Sequence, residues 1–120
     1  MTAQVPQRPI YQKGQRPTPV PAIRKASRDQ SCTLRIPGIC SGDTAQTVGA
    51  HLRIFNAAGM GQKPHDLFIV DACHNCHAAQ EDRSKWADLA LGYDDILRAL
   101  IETQTRRLNA GLITLGKAKT

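Results

Sequence analysis

The sequence is poor in the residues that fill a small core. Only five of its 120 residues are aromatic: Tyr11, Phe55, Phe68, Trp86 and Tyr93. Apolar residues reach 41%, enough for one small domain that needs a metal, a disulfide or a partner to reinforce it. No run approaches the roughly 18 consecutive apolar residues of a membrane span, which excludes an integral helical membrane protein. The opening MTAQVPQRPIYQKG lacks an apolar h-region, which argues against a secretory signal. These absences predict a soluble, cytoplasmic protein with no membrane partner. Acidic residues are also scarce in one half. Residues 1–53 hold eight Lys/Arg against only Asp29 and Asp43, whereas residues 54–120 hold eight of each sign. The whole formal charge of +6 therefore sits in the first half, which suits a polyanionic partner, nucleic acid foremost.

What the chain does have is punctuation. Residues 1–22 carry Pro6, Pro9, Pro17, Pro19 and Pro21 among Gln, Arg and Thr, and read as a disordered, basic, proline-rich arm. Residues 23–30 suit a short helix with Arg24, Lys25 and Arg28 outward. Val48–Phe55 reads as a strand, 56–64 as a glycine-bearing loop and Leu67–Val70 as a second strand. From Trp86 onward Leu89, Tyr93, Ile96, Leu97, Leu100, Ile101 and Leu108 recur at helical spacing, interrupted by Gly92. Asp94 or Asp95 is placed to cap a fresh helix, and Gly111 to end it. The apolar helical positions predict core or a self-association face, so a homodimer through the C-terminal helix is a candidate assembly.

The cysteines and histidines carry the chemistry. Cys73-His-Asn-Cys76 is a C-x2-C knuckle, whose thiolates can share one ion. Cys32 and Cys40 supply the other two ligands of a tetrahedral zinc, provided the Pro37-Gly38 turn folds their wider loop back. A reducing compartment disfavours disulfides, and the βαβ setting of a redox Cys-x-x-Cys is missing. His77 and Glu81 are four residues apart and share a helical face, a two-point site for a divalent cation. His51 sits in an apolar strand, where a hydrogen-bonded core histidine is the plainer reading. His65 reads as exposed loop and His74 as a solvent-facing knuckle residue.

The order changes the weight of His51. Strand histidine, glycine loop, second strand, Cys-x2-Cys-His and helix is the order of a ββα-metal nuclease core. Such a core uses one histidine, largely neutral near pH 7, to take a proton from the water attacking phosphorus. A metal ion opposite it steadies the leaving oxygen. Arg53 shares strand parity with His51 and is placed to hold phosphate.

The ordered set RKASRDQSCTLRIPGIC, AHLR, PHDL and ACHNCH resembles the YbcO-type nucleases of phages and prophages. These are a small branch of the HNH, or His-Me finger, endonuclease group. The likeness covers roughly residues 23–113 and leaves the arm aside. It implies an α+β fold, a zinc-stapled ββα-metal core with C-terminal helices occupying 23–120. It also implies structural zinc on Cys32, Cys40, Cys73 and Cys76, His51 as general base, and His77 with Glu81 as ligands of a catalytic Mg²⁺ or similar cation. Asp66 falls where the middle Asn of an HNH motif braces the loop that positions the base, and Ala50 where such enzymes often carry an acidic or histidine ligand. Both departures predict a weaker hold on the catalytic metal. The implied activity is metal-dependent endonucleolytic hydrolysis of DNA, with RNA also open, in phage or prophage recombination or DNA processing. The rival readings are a non-catalytic zinc-ribbon nucleic-acid-binding module and a protein-interaction adaptor using the last helix.

Overall fold

The computed structural model describes residues 18–53 and 64–116. Most of the arm, Phe55 and the glycine-bearing loop 56–63 lie outside the described residues. The described chain is a small α+β assembly: a two-stranded antiparallel sheet, three α-helices and short 3-10 turns.

Helix α1 spans Pro21–Lys25, so the folded part begins inside the segment read as arm. Pro21 occupies the first turn, where a missing N–H costs nothing, and the Val20 N–H just before it donates to Asp66 Oδ2 at 2.7 Å. The helix stops at Lys25 rather than reaching residue 30. Turns follow, ending at Asp29 with a positive φ of 62°.

Strand β1 runs Val48–His51 and pairs antiparallel with β2, Ile69–Ala72, placing His51 opposite Ile69 and Val48 opposite Ala72. The second strand is displaced two residues from its expected start. Asp66–Phe68 instead forms a 3-10 turn, because the His65 ring nitrogen Nδ1 accepts the Leu67 N–H at 2.9 Å. His65 is thus a half-buried cap rather than an exposed loop residue. Gly49 allows close packing: a Cβ there would lie 3.0 Å from both Ile69 Cδ1 and Ser27 Oγ.

Helix α2 spans His74–Glu81, with Cys73 as its N-cap. The apolar stretch 86–91 is not helical, and its turns include Ala90 at φ 53°. Helix α3 then runs Tyr93–Asn109, with the Asp95 carboxylate accepting the Gly92 N–H at 3.0 Å. Gly111, at φ 74°, lies just beyond its end. The core gathers Leu34, Ile36, Ala50, Leu52, Val70, Trp86, Leu91, Ile96 and Ala99 around three of the cysteines.

Candidate metal centre and histidine site

Pro37-Gly38 forms the expected turn. Gly38 adopts φ 76°, and the Ile39 and Cys40 N–H groups both return to the Ile36 carbonyl at 3.1 and 2.9 Å. Cys40 is thereby carried back toward Cys32, and both meet the knuckle at the sheet end of α2. The four sulfur atoms lie within 4.8 Å of one another, with Cys32, Cys73 and Cys76 buried and Cys40 half-buried. Cys40 Sγ and Cys73 Sγ are 3.9 Å apart. That is far from a disulfide bond and close to the edge of a tetrahedron with 2.3 Å metal–sulfur bonds, about 3.8 Å.

The electrostatics of the cluster match that chemistry. Burial works against ionising Cys73, but N–H groups from Ser41 and Cys76, each 3.4 Å from its sulfur, outweigh it and bring the thiol down to about 6. Burial pushes the Cys76 and Cys40 thiols up, and the neighbouring cysteines add to the rise. Four clustered sulfurs, three of them buried, cannot all ionise without a cation among them; a divalent ion removes the conflict. The donor set can therefore hold a metal ion, and its thiolate chemistry and tetrahedral spacing are compatible with zinc.

On the opposite strand end, His51 is 9% exposed, and its Nε2 lies 2.8 Å from Asp66 Oδ1. Burial disfavours the Asp66 charge, yet the Val20 N–H and the His51 ring together hold its carboxyl below the usual range. An ionised carboxylate only accepts hydrogen bonds, so His51 Nε2 carries the proton and Nδ1 is left as the basic nitrogen. Asp66 therefore holds the ring itself, a more direct bracing than the loop role read from the sequence.

His77 and Glu81 meet on α2 as their spacing predicts, Nε2 to Oε1 at 3.0 Å. Among the described residues, no third His, Cys, Asp or Glu completes a metal cluster with them. His51 and His77 thus each pair with a separate carboxylate. Arg53 is exposed; with Gln80, Glu81 and Arg83 it lines an open recess of about 280 Å³. The parity argument does not carry His51 into that recess, because β1 ends at His51 and the pleat does not extend to Arg53. His74 is exposed, as expected of a knuckle residue outside the sulfur cluster.

Three groups here escaped the sequence reading. Asp71, fully buried inside β2, is paired by Arg107 at 2.5 Å and Arg106 at 2.9 Å. Arg107, itself 2% exposed, also donates to the Ile23 carbonyl and Ser27 Oγ. Gln80 is 2% exposed, with Oε1 buried and unpartnered. Its place four residues after Cys76, on the same helical face, was the available signal.

No helix among the described residues is long and apolar enough to cross a membrane. The family model described as "Putative nuclease YbcO" matches residues 21–112. Two proteins with that name, from Escherichia coli K12 and Enterobacteria phage 82, are each 36% identical over 91 residues, covering 76% of this chain and 95% of theirs. A solved structure, described as a putative bacteriophage protein from Escherichia coli K-12, superposes with a TM-score of 0.60 at 33% identity. It covers 75% of this chain and 100% of its own. The span matched, which begins at the first helical residue and ends just past α3, shows that the chain belongs to the YbcO family.

Proposed function

We propose that this protein is a metal-dependent endonuclease of the HNH, or His-Me finger, type that hydrolyses DNA phosphodiesters in the cytoplasm of a phage- or prophage-bearing host. The observation that carries the reading is the 2.8 Å contact between His51 Nε2 and Asp66 Oδ1. It fixes the tautomer that a general base needs and points to Nδ1 as the proton acceptor. The names of the relatives support a nuclease, and the order β1, β2, α2 fits a ββα-metal core. In this reading Asp66 orients the base, and Arg53 holds the phosphate. His77 and Glu81 hold a divalent cation such as Mg²⁺, which supplies charge stabilisation at the leaving oxygen. Zinc on Cys32, Cys40, Cys73 and Cys76 is structural: it ties the 32–40 loop to the start of α2. The exposed basic residues Arg24, Lys25 and Arg28 add affinity that is independent of sequence and weakens with salt. The catalytic unit is 23–120 together with the start of α1.

The test is nicking of supercoiled plasmid by zinc-loaded protein with and without Mg²⁺ or Mn²⁺, alongside His51→Ala. Metal-dependent nicking that vanishes in a folded His51→Ala protein is the expected result. If neither protein cuts plasmid, single strands or branched DNA, yet both bind DNA equally, the chain is a zinc-ribbon binding module and His51 is structural.

A further inference from the structure

The recess beside Arg53 contains two groups that the nuclease reading does not use. Arg83 is held in a ring cage. Its guanidinium carbon lies 5.2 Å from the Trp86 ring centroid and 5.3 Å from that of Tyr93, and Nη2 donates to the Tyr93 hydroxyl. The two rings meet edge to face at 5.5 Å, and the Trp86 indole N–H is fixed to the Gln80 carbonyl at 3.0 Å. An exposed arginine restrained in this way has already lost much of the side-chain freedom that binding would otherwise cost it. Beside it, the Gln80 side chain is almost wholly buried with an orphaned amide oxygen, an arrangement that folding alone disfavours. Arg53 faces the same space. The one carboxylate lining it, Glu81, is engaged by His77 at 3.0 Å, and beside it the recess presents two guanidinium groups and a carboxamide whose oxygen is unpartnered.

We propose that this recess seats one phosphodiester of the nucleic-acid backbone, with Arg83 and Gln80 as binding residues beside Arg53. The inference rests on the nucleic-acid reading above and deepens it. Planar guanidinium groups match phosphate oxygens in pairs. The Gln80 amide, turned one way, offers an N–H to the phosphate and, turned the other, its oxygen to a water that bridges to the phosphate. Gln80 stands near the end of α2 and Arg83 just past it, so the seat lies at the far end of the helix from the cysteine knuckle.

The test is fluorescence anisotropy with a labelled oligonucleotide and zinc-loaded protein, without added Mg²⁺, over a range of KCl. Arg83→Gln should lower the slope of log affinity against log salt by about 0.9, the loss of one phosphate contact. Arg98→Gln, which removes a charge from the outer face of α3, should leave the slope unchanged. Gln80→Leu should weaken binding roughly tenfold, as expected for one hydrogen bond to a charged group, with an equal or higher melting temperature. If wild type binds but Gln80→Leu binds equally well, or Arg83→Gln keeps the full slope, the seat is wrong and the nucleic-acid reading stands. Equal losses from Arg98→Gln and Arg83→Gln also overturn it, because charge alone would then explain both. If wild-type protein binds no oligonucleotide, both readings fall. Should Arg83→Gln unfold by circular dichroism, Gln80→Leu decides.

Discussion

Asp66 ties three elements together through one carboxylate. It accepts the Val20 N–H that precedes α1, holds the ring of His51 at the end of β1, and opens the 3-10 turn before β2. Its folded-state pKa lies below the usual carboxylate value. The stabilisation is therefore fully present above the unfolded value of about 3.9 and is lost as pH falls through the lower folded value. Asp66→Asn should cost about 1–2 kcal/mol at pH 7 and flatten the acid limb of the stability profile; urea melts at pH 7 and near pH 3 measure both. Asp66→Ala, which removes the acceptor altogether, should lose nicking activity, whereas Asp66→Asn, whose amide oxygen can still accept from His51 Nε2, should retain part of it; plasmid nicking by the two variants checks this. The resemblance to HNH enzymes marked Asp66 as a bracing group, but its contact with His51 depends on a turn that local propensity did not reveal.

At the scale of elements, two fastenings hold the fold. One is the sulfur cluster, which joins the 32–40 loop to the N-terminus of α2. With zinc as the bound ion, chelation should unfold the protein, because structural zinc binds with about 10–16 kcal/mol of apparent free energy, as much as a small domain's whole stability. Far-ultraviolet circular dichroism during chelator titration reads the collapse. Co²⁺ substitution should give intense thiolate-to-metal absorption that Cys40→Ser diminishes. The other fastening is the buried Asp71–Arg107 pair, which pins α3 to β2 and to α1. Arg107→Met leaves a buried carboxylate short of a partner and should cost about 3–5 kcal/mol; Asp71→Leu with Arg107→Met should recover most of it. Thermal melts of the single and double variants test this. Sequence periodicity marked the knuckle easily, since its ligands are local. Asp71 instead looks like the end of an apolar strand, and only arginines 35 and 36 residues away make it tolerable there.

For the whole molecule, α3 divides its apolar residues between two faces. Ile96 and Ala99 are buried, whereas Tyr93, Leu97, Ile101 and Leu108 are 43–57% exposed and lie along one stripe. The homodimer expected from the sequence would cover that stripe. Sedimentation should then show a dimer that Leu97→Glu with Ile101→Glu converts to monomer, with the fold retained; a monomeric wild type would overturn it. The stripe also explains why the helical pattern from residue 86 onward overstated the core. Residues Trp86 to Leu91 supply core contacts from turns, so apolar recurrence there reported burial and not helix.

The sequence by itself determined the chemistry that depends on spacing along the chain. The Cys-x2-Cys knuckle, the Pro37-Gly38 turn and the i,i+4 pair of His77 and Glu81 all follow from local geometry, and each takes its expected form. Family membership was legible in the same way, as an ordered set of short motifs. Only the tertiary structure decided the rest: that Asp66 grips His51, that Arg107 neutralises Asp71, and that Arg53, Gln80, Glu81 and Arg83 share a recess. Those contacts join residues on different elements, and what brings them together is packing against a common core, which sequence periodicity does not encode.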